Sequence, residues 1–185
     1  MVVALPKTYT PEDLLTMPDG DRYELVDGQL VERNVSALSS YVGGEVFLNL
    51  GNFVKKSKLG WVFPDNTSFL IFRDEPKKVR KADTAFISAG NLTLEELQTQ
   101  GQLTVVPELV VEVVSPNDLA YEVNAKIDEW LGAGVSVVWE IDPELKIVDE
   151  HRADGSLRRL SVKDHLTAES ILPGFSCPIA SLFPC

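Results

Sequence analysis

Apolar and polar positions along the chain follow two rhythms, one of about 3.6 residues and one of two. From Ser36 to Lys58 the residues Leu38, Tyr41, Val42, Val46, Leu50 and Phe53 recur at helical spacing, which predicts a long helix. Gly43-Gly44 falls inside it and would allow close packing, Lys55, Lys56 and Lys58 suit the negative end of its dipole, and Gly60 is expected to end it. A second stripe, Val123, Ile127, Trp130, Leu131 and Gly134, predicts a helix from about Leu119 to Ala133. Shorter helices are expected over Thr10–Met17, with Thr10 as N-cap and Pro11 in the first position, and near Thr93–Gln98.

Strands are expected between these helices. Arg22–Val26 and Gln29–Glu32 flank Asp27-Gly28, a strong hairpin signal. Further strands are expected near Gly60–Phe63, Ser68–Phe72 and Ala82–Ile87. Pro107–Val114 is dominated by valine and reads as a strand buried on both faces except at Glu112. With the helix that follows and the apolar run Val135–Ile141, it forms a strand–helix–strand unit of the kind that joins parallel strands. Lys146–Arg152 and Leu157–Val162 form a hairpin around Ala153-Asp154-Gly155, and Ile171–Phe175 is expected to be a packed terminal segment. The fold class is mixed α/β, a central sheet flanked by helices, in one domain over residues 1–185.

Composition narrows the function classes. Seventeen basic against 28 acidic residues give a formal charge of −11, which opposes broad attraction to nucleic acid but leaves room for a local site where a metal and a few basic groups handle phosphate. No apolar run reaches the ~20 residues needed to cross a bilayer, and Met1–Thr10 lacks the apolar core of a secretory signal. Two cysteines, Cys177 and Cys185, are too few for a disulfide scaffold and suit a reducing cytoplasm. His151 and His165 have no partners at zinc-binding spacing. Asp74–Lys81 is the one charge run and reads as a loop.

Two charges sit where the pattern asks for apolar residues. Glu112 shares a strand face with Val110 and Val114, where an unpaired carboxylate is costly, so it must protonate or meet a cation. A structural pairing with an arginine, or a place near the sheet edge, would also account for it. Lys126 lies between Val123 and Trp130 on the inward stripe; it can instead snorkel outward or pair with Glu122 one turn away. Asp83 opens the strand that follows the basic loop, where an acid often caps a turn, and Glu24 heads the first hairpin. Taken together, an Asp and a Glu on neighbouring strands and a Lys on the next helix describe a compact polar site. Two carboxylates plus a backbone carbonyl suit a hard divalent ion, and an ammonium beside them can stabilise charge on a reacting phosphate, so in-line phosphodiester hydrolysis is the chemistry expected.

The chain resembles the Uma-type restriction endonucleases of the PD-(D/E)XK nuclease superfamily. The resemblance rests on Tyr9–Leu14, Tyr23–Leu30, Lys81–Ile87, Pro107–Asp118, Lys126–Val135 and Leu172–Phe175 in that order. It implies a restriction-endonuclease-like core and a Mg²⁺- or Mn²⁺-dependent site acting on DNA. Asp83 and Glu112 correspond to its metal-binding carboxylates, and Val113 would add its carbonyl. The lysine usually found two residues after the glutamate is replaced by Val114, and Lys126 corresponds to the lysine that the family carries on the following helix. Glu24 corresponds to an acidic position near the site, so Glu24, Asp83 and Glu112 are expected to gather round the ion. Two departures stand out: Ala82 replaces the usual proline before Asp83, and Ser39-Ser40-Tyr41 occupies the region where many members have a histidine. Nucleases of this kind often pair to cut two strands, which implies a homodimer. The competing functions are a non-catalytic binding or assembly module on the same fold and a metal-dependent phosphoesterase acting on a smaller substrate. Candidate phosphate contacts are Lys77–Lys81 and the cluster Lys55, Lys56 and Lys58.

Overall fold

The computed structural model describes residues 7–184. The expectations for the first residues and for Cys185 fall wholly or largely outside this range. In chain order the elements are α1 (Pro11–Thr16), β1 (Tyr23–Val26), β2 (Gln29–Glu32), α2 (Ala37–Ser57), β3 (Gly60–Pro64), β4 (Ser68–Phe69), β5 (Arg80–Lys81) and β6 (Thr84–Ser88). They continue with α3 (Leu94–Thr99), β7 (Leu109–Val113), α4 (Ala120–Gly132), β8 (Val137–Asp142), β9 (Ile147–Arg152), β10 (Leu157–Ser161), β11 (His165–Ala168) and β12 (Leu172–Pro178).

Six strands form a mixed central sheet in the order β10-β9-β8-β7-β6-β3. β7 and β8 run parallel, joined through α4, and the other neighbours are antiparallel. All five residues of β7 are buried, and its alternation divides them between two cores. Leu109, Val111 and Val113 pack with Val42, Val46 and Leu50 of α2 and with the β11–β12 hairpin. Val110 faces the other way, toward Ile127 and Trp130 of α4 and the rings of Phe69 and Phe72. Glu112 shares that second face.

The helices begin where side-chain caps are available. Thr10, Ser36 and Thr93 each accept the N–H three residues on, and in each case that residue's side chain accepts from the cap's own N–H. Asp27 and Gly28 both take positive φ, 51° and 75°, as a two-residue hairpin turn of the primed type requires.

Three expectations need correction. The stretch 68–72 is strand only at Ser68–Phe69, because Leu70 N–H turns to the carbonyl of Leu103 instead of continuing a ladder. The long helix closes at Lys58 in the left-handed conformation, not at Gly60. Gly60 is needed for a different reason: a Cβ there would stand 2.2 Å from the Ile87 carbonyl oxygen. The terminal segment is packed as expected, with Leu172 and Phe175 buried, and forms the second strand of a hairpin, β12 on β11. Finally, the run Asp74–Lys81 is a loop only through Lys78, with Asp74–Lys77 exposed, and it ends in β5. Lys78 and Lys81 are buried, and β5 pairs with β4.

Candidate active site

The end of the β6–β7 ladder generates the site. Regular pairing stops at Thr84 opposite Val111. One residue earlier, Asp83 donates its N–H to the Val111 carbonyl at 3.0 Å, and its Oδ2 accepts the Val113 N–H at 2.7 Å. The carboxylate thus replaces a missing backbone partner and is held against the same strand that carries Glu112. Gly43 of α2 faces this point; a Cβ there would lie 3.9 Å from both Asp83 Cβ and Val113 Cγ2, ordinary van der Waals contact.

α4 supplies the cation. Lys126 Nζ lies 2.9 Å from Glu112 Oε2 and 3.0 Å from Glu24 Oε1, and it donates to the Lys81 carbonyl at 2.9 Å. The solvated pairing with Glu122 does not form. Trp130, one turn further along the inward stripe, donates its indole N–H to Glu112 Oε1 at 2.7 Å. Glu24 arrives from the first hairpin because Leu25 exchanges two backbone hydrogen bonds with Val79, which sets Glu24 beside β5. There it accepts the Lys81 N–H at 2.8 Å and an Arg80 bond at 2.8 Å.

Glu24, Asp83, Glu112, Val113 and Lys126 line one cleft of about 340 Å³. Sequence reasoning singled out all five. It missed Arg33, which lies just past β2 and donates to Asp83 Oδ1 at 2.7 Å and to the Asp65 carbonyl at 2.7 Å. Arg80 was expected only as part of the phosphate-contact run Lys77–Lys81; its guanidinium bridges Glu24 and Glu129. The indole of Trp130 did carry a signal: an indole N–H on a buried stripe calls for an acceptor, and Glu112 was the unpaired one. Arg33 carried none, since its partner is fifty residues away. Of the candidate phosphate-contact clusters, only Arg80 of the run Lys77–Lys81 lines the cleft. Lys81 donates inward to the carbonyls of Gly20 and Asp21, and Lys78 to Glu75 and Glu129. Lys55 stands twelve residues beyond Gly43, which faces Asp83, on α2, roughly 18 Å along the axis.

The three carboxylates titrate differently. Burial pushes Glu112 up to about 7, and the negative charges of Asp83 and Glu24 add to this, outweighing Lys126. Burial likewise raises Asp83 against the pull of Lys126, Arg33 and the Val113 N–H. Burial acts the same way on Glu24, but Lys126, Arg80 and the Lys81 N–H together bring it down to about 2. Burial alone would lower Lys126, yet Glu112, Glu24 and Asp83 hold it well above the usual lysine range. Glu24 is therefore a fully compensated anion, whereas Glu112 and Asp83 are short of positive charge. Six acidic and three basic side chains line the cleft, so its walls carry a negative excess.

Residues 11–180 match the Uma2 family, described as "Putative restriction endonuclease". The chain belongs to that family. The solved structure of a protein from Anabaena variabilis, described as "a putative nuclease belonging to DUF820", superposes with a TM-score of 0.80. That match covers 94% of this chain and 97% of the other at 17% identity, which establishes a shared fold. No curated protein matches the sequence. Among the described residues, no helix of this Uma2-family chain is long and apolar enough to cross a membrane, and no three His, Cys, Asp or Glu side chains form a ready-made ligand group.

Proposed function

We propose that the protein is a metal-dependent nuclease that hydrolyses DNA phosphodiester bonds at the cleft between β6, β7 and α4. The observation that carries this reading is the convergence of Asp83, Glu112 and Lys126, from three separate elements, with both acids held above their ordinary pKa. The donor set suits a divalent ion. Each oxygen of Asp83 and of Glu112 accepts one hydrogen bond, and a carboxylate oxygen has a second lone-pair direction. Asp83, Glu112 and the Val113 carbonyl would hold Mg²⁺ or Mn²⁺, hard ions with oxygen preference. Such an ion supplies Lewis-acid polarisation of a phosphoryl oxygen and a lowered pKa for the attacking water.

The remaining work falls to the chain. Lys126, kept charged by three neighbouring carboxylates, stabilises the charge that develops on the phosphate. Glu24 is not needed as an ion ligand; its oxygens are committed to Lys126, Arg80 and the Lys81 N–H, and it fixes the direction of the Lys126 side chain. A homodimer would bring two such clefts to the two strands of a duplex.

The test uses plasmid DNA with Mn²⁺ or Mg²⁺. Asp83→Ala and Glu112→Ala are expected to abolish cleavage while circular dichroism remains that of the wild type, and Mn²⁺ is expected to raise the wild-type melting temperature. Unchanged cleavage by both variants would remove this mechanism. The negative cleft walls favour one competing reading, a phosphoesterase acting on a smaller substrate with fewer charges to bring in. Cleavage of small phosphodiesters but not of DNA would select it.

A further inference from the structure

We propose that Arg33 is a counter-ion switch: its guanidinium occupies Asp83 while no divalent ion is present, and passes to the substrate phosphate when an ion takes its place. The inference rests on the metal-dependent reading above. It starts from a comparison of the three cationic side chains in the cleft. Lys126 has three N–H donors and directs all three to protein acceptors, Glu112, Glu24 and the Lys81 carbonyl. Arg80 holds Glu129 through Nε and Nη2, and Glu24 through Nη1. Arg33 makes two bonds, to the Asp65 carbonyl and to Asp83 Oδ1, from five available donors. It is the cation with the most unused donor capacity.

Its position matches that capacity. Arg33 lines the carboxylate cleft and also a neighbouring depression of about 580 Å³, with Glu32 and Asn34 shared between the two. A polyanion lying across both would pass over this side chain. The Asp83 bond also sets a full positive charge against the carboxylate that a divalent ion would use. Both occupants neutralise the same carboxylate, and their charges repel if they share it, so binding of one disfavours the other. The freed fork has the planar geometry that suits phosphate oxygens in pairs. Its anchor on the exposed Asp65 loop, through a backbone carbonyl, keeps the side chain near the site during the exchange.

The experiment is calorimetric titration of the full chain with Mn²⁺ at neutral pH, comparing wild type with Arg33→Gln, followed by cleavage assays at saturating Mn²⁺. The expected result is Mn²⁺ binding tighter by about tenfold in Arg33→Gln, the scale of one charge-assisted hydrogen bond removed from the metal-free state, together with slower cleavage. Equal or weaker Mn²⁺ binding by a folded Arg33→Gln overturns the proposal. So does undiminished cleavage at saturating Mn²⁺. If Arg33→Gln fails to fold, the wild type still decides: the ¹⁵Nε resonance of Arg33, assigned through Arg33→Lys, must move as Mg²⁺ is added, and a stationary resonance under saturating Mg²⁺ rejects the switch. Absence of any metal binding by both proteins removes the metal site itself and the switch with it, whereas unequal binding in the wrong direction removes the switch alone.

Discussion

Glu112 and Glu24 lie against the same ammonium yet shift in opposite directions, and the difference lies in their other neighbours. Glu24 has Arg80 and a backbone N–H as well, while Glu112 has the neutral indole of Trp130 and faces Asp83. The sign of each contribution to stability follows. With its pKa raised from 4.5 to about 7, Glu112 holds a proton in the native state that the unfolded chain has lost. Its contribution to the metal-free protein is therefore fully present below pH 4.5 and is lost as pH rises through about 7. Glu24, lowered to about 2, contributes stability above pH 4.5 that disappears as pH falls through about 2. Because a ligand carboxylate must ionise, Mn²⁺ affinity should increase with pH up to about 7 and then level off, with proton release at lower pH. Titrations in buffers of different ionisation enthalpy would reveal this, and a flat profile would contradict the assignment of Glu112 as ligand. Glu24→Gln strands Lys126 and Arg80 without their shared anion, so urea denaturation should show a loss of about 3 kcal/mol or more, the cost of breaking a buried pair from one side. Arg22→Gln, at an exposed pair with Glu32, should cost under about 1 kcal/mol.

Strands and helices bring these groups together through their ends. Asp83 stands at the point where β6 leaves its ladder, and Glu112 next to last on β7. α4 returns over the same face because β7 and β8 are parallel and need a crossover between them. Lys126 thus comes to Glu112 by topology, across fourteen residues. The edge strand β3 depends on Gly60, whose neighbours leave no room for a side chain. Gly60→Ala should push β3 away from β6 and lower stability by about 1–3 kcal/mol, the usual cost of overpacking. Thermal unfolding with retained Mn²⁺ binding would place the damage at that edge; a wild-type melt would contradict the geometry. The helical and strand rhythms located most elements to within a few residues, since buried faces impose their period on the sequence. The hairpin of β11 and β12 escaped notice. β12 alternates buried and exposed residues only in part, with Pro173 and Gly174 within it, and its pairing shifts register beside Ala168.

Over the full chain, −11 charges and a negative cleft make approach of a polyanion unfavourable unless cations intervene. Few lysines or arginines are free at the cleft, so DNA affinity should depend on the divalent ion and only weakly on monovalent salt. A log–log slope of about −2 to −3 corresponds to two or three phosphate contacts. Replacing Lys55, Lys56 and Lys58 together by Gln should leave that slope and the affinity unchanged, since they cap the far end of α2; a clear loss of affinity in a binding titration would move the DNA track to that end. The amino-acid pattern alone was enough for the mixed α/β class and for Glu112 and Lys126, because a charge on a buried face breaks the local period and so is visible in one dimension; Asp83 joined them only as one of a set, and Glu24 through the family resemblance. Which cation meets which anion was decided in three dimensions. Arg33 reaches Asp83 across fifty residues, and Lys78 and Lys81 turn inward from a run that reads as a loop with phosphate contacts. Such pairings depend on which segments a fold sets side by side, and electrostatic partners leave no period in the chain.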